Sequence, residues 1–497
     1  MPKQYLIGID IGTSGTKSVL FDTEGNAVLS RTKEYPMEQP QNGYAEQDPA
    51  YWWEAVQETL SAVTAAAKDG TIVGVGLSGQ MHSLVLLDKD NRILRPSILW
   101  CDQRTAEECR EIEETVGHER LIAITANPAL PGFTASKIRW VQKHEPEIYQ
   151  QCAHILLAKD YIRFLLTGAY ATEVSDASGM QLLDIEKRQW SLDICDILGI
   201  DPALLPRVYE SPDVTGHITE EAASRTGLPV GIPVAGGGGD NASAAIGTGV
   251  YRSGKAFTTI GTSGVVFAPT DKPVIDPKGR IHTFCAAVPG TWHVMGVTQA
   301  AGLSLNWFRS SLAQSLSYRE IDKQCAALPI GAEHLLYLPY LMGERTPILD
   351  SDARGVFFGL SALHTRAHLA RAVIEGVSYS LCTCLDLLRE NRIDIRDMAL
   401  CGGGGKSPFW HQMLTDLYQI PVHTMQSDEG AALGAAILAG VAAGVYRTVA
   451  EGCEIAARAN APLLPDPEAH RAYMPYYTLY QSLYPTLKDS FKALREI

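Results

Sequence analysis

Two acidic residues stand where a carboxylate needs a reason. Asp10 closes the apolar run "YLIGID" and is followed by Gly12-Thr13-Ser14-Gly15, while Asp240 follows four glycines in "AGGGGDNAS". A carboxylate ending an apolar strand is costly unless it faces a cleft, water or a cation such as Mg²⁺. The turn after Asp10 also recurs: Ile11 to Gly15 returns as Ile260-Gly261-Thr262-Ser263-Gly264, again between apolar runs. A tight turn of glycine and hydroxyl residues lets backbone N–H groups and hydroxyls converge on a phosphate oxygen. Either turn alone is a plain β-hairpin. Two copies, with glycine loops at 235–243 and 401–407, point to nucleotide binding, a triphosphate being gripped from both sides of a cleft.

Better-known phosphate motifs fail on inspection. A P-loop needs G-x-x-x-x-G-K-[ST] between strand and helix. Gly15 is followed by Thr16 and a strand-like segment, and Gly405-Lys406-Ser407 would put the leading glycine at Leu400. "GGGDNA" (237–242) spells a dinucleotide fingerprint after "IPVAG", but the acid expected about 20 residues on is missing. No acidic residue occurs between Asn241 and Thr270.

The elements that must position these residues read as two related halves. "YLIGID", "TKSVLF" and "NAVLSRTKEY" predict three strands, with Asp22-Thr23-Glu24-Gly25 as a hairpin turn. A helix follows with Asp48 as N-cap and Pro49 at its first position, then the strand "IVGVGLSG". Later, "KAFTTIGTSGVVFAP" predicts strand, turn and strand, followed by a hairpin around Pro289-Gly290 and two helices. "DMALCGGGGKS" predicts a strand running into a glycine loop, and "PVHTM" then "SDEGAALGAAILAGVAAG" a strand and helix capped by Ser427 or Asp428. The predicted fold class is α/β in two domains, residues 1–245 and 246–497, joined near 240–255.

Bulk properties narrow the partners. A chain of 497 residues exceeds one hydrophobic core. Its net charge of −14 argues against nucleic acid or anionic membrane as partner. No apolar run is long enough to span a bilayer, and no signal segment opens the sequence. Ten cysteines without C-x-x-C spacing read as reduced cytoplasmic thiols. His364 and His368 have the i,i+4 spacing of a zinc pair, but Thr365 stands where a zinc-protease motif has Glu; a capping role is expected. Trp52 and Trp53 are expected to pack in the core.

At this point the chain resembles the FGGY carbohydrate kinases over essentially its whole length. "GFTASKIRWVQKH" (132–144) and "GVFFGLSALHTRAHLARAVIE" (355–375) fit the two family signatures, supported by "EQDPAYWW", "GLSGQMH", "ILWCDQR", "GGGDNA" and "LPYLMGERTP". The resemblance implies two actin-like, ribonuclease-H-like domains around a central cleft, and ATP with Mg²⁺ as cofactors. "GQMH" with "LRPSILW" and "PGFTASK" points to members that phosphorylate D-xylulose. Carried over residue by residue, it makes Asp240 the general base for the sugar's C5 hydroxyl and places Asp10 beside the metal and phosphates, with both acids as metal candidates. Met81, His82, Trp100, Asp102, Arg104 and Asn241 are implied at the sugar. Gly12, Thr13, Ser14 and Lys17, with Gly261, Thr262 and Ser263, are implied at the phosphates, and Gly403, Gly404, Gly405 and Ser407 at the adenosine. The expected partners are a small-molecule sugar and ATP, with a homodimer left open. Two other readings stand beside this one: a sister kinase acting on another ketopentose, polyol or gluconate, and an actin- or chaperone-like ATPase.

Overall fold

Strand β1 (Lys3–Ile11) turns back through Gly12–Ser14 into β2 (Gly15–Asp22), which pairs with β3 (Ala27–Glu34), all antiparallel. The computed structural model describes residues 3–497. Helix α1 (Pro49–Thr64) is capped by Asp48, whose side chain accepts from Ala50 N, and buries Trp52, Val56, Leu60 and Val63. It leads to β4 (Gly70–Gly79), which lies parallel to β1 on the side away from β2. After a long excursion containing α2 (Thr134–His144) and α3 (Ala158–Thr167), the chain adds β5 (Val214–His217), β6 (Pro233–Ala235) and the short β7 (Gly238–Gly239). The first sheet has the order β5-β6-β4-β1-β2-β3, with β7 also beside β4. Helix α4 (Asp240–Gly247) then carries the chain into the second half.

There the pattern repeats. β8 (Gly254–Ile260) and β9 (Gly264–Thr270) form an antiparallel hairpin, and β10 (His282–Cys285) and β11 (Trp292–Thr298) extend the sheet beyond β9. After α5 (Gly302–Leu312) and the largely buried α6 (Arg366–Glu390), β12 (Ile395–Cys401) enters parallel to β8. Following α7 (Pro408–Tyr418), β13 (Val422–Thr424) pairs parallel with β12. The order β10-β11-β9-β8-β12-β13 resembles that of the first sheet, with antiparallel strands on one side of the opening strand and two parallel ones on the other; β10 here and β5 in the first sheet are edge strands without a counterpart. The duplicated turn thus joins the first two strands of each sheet.

Two expectations need correction. Helix α8 (Gly430–Ala442) starts at Gly430 with Glu429 in the cap position and no side-chain cap bond. Neither Ser427 nor Asp428 caps it; Ser427 Oγ accepts from Glu429 N instead (3.2 Å). In addition, α8 comes from the second half but lies on the first sheet. A Cβ added at Gly8 or Gly76 would sit 1.8 and 1.9 Å from the Ala432 and Ala435 carbonyl oxygens, so only glycine there admits the helix. The cut at 245/246 separates the two sheets but not their covering helices. A long terminal helix, α9 (Pro467–Glu496), packs Tyr473, Tyr477 and Tyr480 into the second core.

Candidate active site

Three parallel strand ends set the site. In the register, Asp10 of β1 stands beside Ser78 of β4, and Gly238 and Gly239 of β7 stand beside Ser78 and Gly79. Asp10, Gln80 and Asp240 therefore emerge together at the carboxyl edge of the first sheet, where open α/β sheets bind ligands. Burial pushes the Asp10 carboxyl up, opposed by the nearby Ser78 hydroxyl and the charge of Lys17. Its Oδ1 is buried with no hydrogen-bond partner among the described residues.

Asp240 opens α4. Its Oδ1 accepts from Asn241 N (2.7 Å) and Asn241 Nδ2 (2.9 Å). Asn241 thus acts on Asp240 itself and leaves Oδ2 as the oxygen turned to a ligand. Burial, then the nearby Asp10 charge, pushes the Asp240 carboxyl up to about 6. A carboxylate so tuned is ionised at neutral pH yet more basic than a free one, as a general base should be.

The glycine loop before Asp240 rests on a buried ionic cluster that no sequence motif announces. Lys159 Nζ meets Asp160 (2.8 Å), Asp176 (3.2 Å) and Glu173 (3.4 Å). Arg163 pairs with Asp160 (2.6 Å) and donates to the Gly236 carbonyl. Gly239 N donates to Ser175 Oγ (3.1 Å). All five charged side chains are fully buried, and burial pushes the Asp176 carboxyl up to about 8. A proton on Asp176 leaves the cluster neutral, with two cations against two anions. In sequence, its spacing resembles that of a solvated helix face.

Met81 and His82 follow the end of β4, next to the loop that carries Asp240. Gly239 gives Met81 its place, since a Cβ there would lie 2.8 Å from Met81 Cγ. His82 has a φ of 68° and directs Nδ1 to the Gly179 carbonyl (2.9 Å). Burial, then the positive charge of Lys137, holds its pKa well below the usual imidazole range. The ring is neutral, Nδ1 carries the proton because its partner is a carbonyl, and Nε2 remains an acceptor. Lys137 fixes this region by donating to the His82 carbonyl (2.8 Å) and the Gly132 carbonyl (2.7 Å).

Three residues expected at the sugar have partners within the protein. Trp100 Nε1 donates to Thr13 Oγ1 (2.9 Å), so the indole N–H holds the first hairpin. Asp102 is 0% exposed. Its oxygens accept from Ala45 N (2.6 Å) and bidentately from Arg104. Arg104 also pairs with Glu46 (2.7 Å) and lies 3.8 Å over the Tyr44 ring. Both Asp102 oxygens are engaged, and Arg104 directs three of its five N–H groups to Asp102 and Glu46; their pair stiffens the segment that carries Trp100.

The phosphate and adenosine candidates also divide. Thr13 Oγ1 donates to Gln80 Oε1 (3.2 Å), and Lys17 pairs with Glu429 (2.9 Å). In the second half, Gly261, Thr262, Gly403, Gly404 and Ser407 line a cavity of about 800 Å³ with Leu303, Asn306, Tyr318 and Asp322 of the helical segments. Ser407 lines it as the N-cap of α7, its Oγ accepting from Trp410 N (3.0 Å). Gly405 does not: it turns into a second cavity of about 550 Å³ behind the loop. Asn306 and Tyr318, in unremarkable helical sequence, were missed. His368 takes a capping position: its Nδ1 accepts from Thr365 N (3.1 Å) at the start of α6. Trp52 is buried as expected. Among the described residues no helix is long and apolar enough to cross a membrane.

Comparison with known proteins agrees with this geometry. The profile of the FGGY family of carbohydrate kinases, N-terminal domain, matches residues 5–247, and that of the C-terminal domain matches residues 256–443. The chain is 41% identical to the xylulose kinase of Bacillus subtilis (strain 168) over 496 residues, covering 99% of both chains. Among solved structures it resembles the xyloylose kinase of Brucella ovis (36% identity, TM-score 0.91, 98% and 99% of the two chains). It also resembles the gluconate kinase of Lactobacillus acidophilus (30%, TM-score 0.94, 99% and 100%). The two-domain, actin-like α/β architecture is that of these sugar kinases, and by sequence and fold alike this chain belongs to the FGGY family of carbohydrate kinases.

Proposed function

We propose that the protein transfers the γ-phosphoryl group of ATP to the C5 hydroxyl of D-xylulose, giving D-xylulose 5-phosphate and ADP. The observation that carries the reading is Asp240: a carboxylate tuned to about 6, with Oδ2 open, beside a second acid and between a hydroxyl-rich turn and the Met81–His82 path. The sugar lies along Met81, with His82 Nε2 accepting from one of its hydroxyls. Its C5 hydroxyl gives its proton to Asp240 Oδ2 as the oxygen attacks phosphorus. Such transfer depends on alignment and charge neutralisation more than on covalent help.

Gly12 and Ser14 on one side, with Gly261, Thr262 and Ser263 on the other, receive the phosphates. The 800 Å³ cavity against Gly403 and Gly404 takes the adenosine. Asp10, whose buried Oδ1 no protein group answers, would hold Mg²⁺, with Asp240 close by; the ion would neutralise phosphate oxygens while keeping most of its waters. The first sheet carries the sugar and the second the nucleotide, a division near residue 245 that α8 bridges. We place the reaction in the cytoplasm, where ATP is supplied and ten free cysteines stay reduced.

A sugar acid is the second reading, favoured by the likeness to the gluconate kinase. ADP release across ketopentoses, pentitols and gluconate separates the two. D-xylulose should give the highest kcat/KM, and a higher value for any other acceptor overturns the substrate while leaving the family intact.

A further inference from the structure

The segment Gly343-Glu344-Arg345-Thr346-Pro347 has no part in the chemistry above. It is nevertheless firmly held. Buried Glu344 accepts from Thr298 Oγ1 (2.5 Å), Gln299 N (2.8 Å) and Arg345 N (2.8 Å). Thr346 N donates to the Val297 carbonyl (2.9 Å), and Val297 N donates back to Thr346 Oγ1 (3.0 Å). Both neighbours of Arg345 are thus tied to the end of β11, and the Arg345 side chain leaves the second half.

It arrives at the first half's sugar path. A Cβ built on Gly132 would lie 3.1 Å from Arg345 Nη2 and 3.1 Å from the Trp100 carbonyl oxygen. The guanidinium charge is felt at both His82 and His282, where it disfavours protonation. Phe133, next to Gly132, packs edge-on against the His82 ring with centroids 4.9 Å apart.

Arginines more deeply placed are locked on carboxylates: Arg104 on Asp102 and Glu46, Arg163 on Asp160, Arg371 on Glu375. Arg345 has only the adjacent Glu344 acting on its charge, and that carboxylate is already bound by backbone and hydroxyl donors. Among the described residues its guanidinium donates no hydrogen bond. Arg345 is half-buried, and its five N–H donors, with no protein acceptor, are free to meet a ligand oxygen.

We propose that Arg345 is a specificity-determining residue, the second half's contribution to the sugar pocket. It donates to the oxygens at the end of the sugar remote from Asp240, the C2 carbonyl and C1 hydroxyl of a 2-ketopentose. The order along the path gives the direction. Met81 abuts Gly239 beside Asp240, His82 comes next, and Gly132 with Arg345 lies beyond. A group with donors only suits a carbonyl oxygen, which only accepts, better than a hydroxyl. The inference rests on the kinase reading above.

Steady-state kinetics of Arg345→Met and Arg345→Lys with D-xylulose and with D-arabinitol, its C2-reduced pentitol, test it, alongside KM for ATP and melting temperature. Arg345→Met should raise KM for D-xylulose about tenfold, the size of one lost charge-assisted hydrogen bond, and narrow the preference for ketose over pentitol. KM for ATP should stay within about twofold, and Arg345→Lys should recover part of the sugar affinity. A sugar KM within about twofold of wild type overturns the assignment, as does a parallel rise of both KM values with a lowered melting temperature in both variants. Should the wild type phosphorylate neither compound, the D-xylulose reading fails while the kinase family stands, and calorimetric binding of D-xylulose to wild type and Arg345→Met still decides Arg345.

Discussion

The two Ile-Gly-Thr-Ser-Gly hairpins share sequence and place in their sheets but not construction. In the first, Ile11 faces Thr16; in the second, Ile260 faces Gly264, one residue sooner. The first turn is built in from all sides. Thr13 accepts from Trp100 and donates to Gln80, and its carbonyl accepts from Gln47 (2.6 Å). The second turn is held only by its backbone: the Gly261 and Thr262 carbonyls accept from Gly302 N (2.7 Å) and Ala301 N (3.0 Å) at the start of α5. Its residues Gly261 and Thr262 stay exposed, and no side chain occupies the Thr262 hydroxyl. One turn was fixed as a wall that carries an acid, the other left as an open grip. Duplication supplied the same loop twice, and the neighbours decided what each could do.

The acids separate the halves most sharply. Asp10 has Thr259 as its counterpart in the second hairpin, and Asp240 lies on the first sheet's edge. Asp240→Asn should keep nucleotide binding, measured by calorimetry, and lose about 10²-fold or more in kcat, the usual size for a general base. Asp10→Asn should weaken the Mg²⁺ dependence of the rate, whereas Thr259→Asn should leave it unchanged. A loss below tenfold in Asp240→Asn would remove it from the proton path.

The pH response follows from the same pair. With Asp240 raised to about 6, kcat/KM should fall as pH drops through that value, because the base takes up a proton. Stability moves the other way. A carboxyl raised from 3.8 favours the folded protein's protonated form, so its charge destabilises the fold above about pH 6, and that penalty fades as pH falls toward 4. Asp240→Asn should therefore melt higher than wild type at pH 8, with the gap closing between pH 6 and 4. An unchanged gap across that range would mean that Asp240 titrates as a free acid.

Local sequence carried the strands, the hairpins and the Asp48 cap, because alternation and capping chemistry act within a few residues. It also carried Asp10 and Asp240, whose surroundings of apolar and glycine residues make a carboxylate conspicuous. It could not place α8, which is apolar on every side; which sheet it covers is settled by Gly8 and Gly76, more than 350 residues earlier in the chain. The Lys159–Asp176 cluster stayed hidden because nothing near these charges in sequence distinguishes a buried pair from a solvated one. The Asp102–Arg104 pair was hidden for the converse reason: charges near a binding segment look like ligand contacts until their protein partners are seen. Helix α9 contains Pro475 and Pro485, which argue locally against one continuous helix.

The smallest effects test the hairpin contrast directly. Thr13→Ala and Thr262→Ala delete the same hydroxyl from the two turns. At Thr13 the loss leaves the Trp100 indole N–H without its acceptor inside a packed network, a cost of about 1–3 kcal/mol in stability. Thr13→Ala should lower the melting temperature in the absence of any ligand. At Thr262 no protein group depends on the hydroxyl, so Thr262→Ala should melt like wild type. What it loses is one hydrogen bond to a charged phosphate oxygen, and KM for ATP should rise about tenfold with sugar KM unchanged. Equal melting losses in the two variants would mean that the turns are equivalent after all. A lowered melting temperature for Thr13→Ala alone, with the ATP effect confined to Thr262→Ala, assigns the Thr13 hydroxyl to architecture and the Thr262 hydroxyl to the nucleotide.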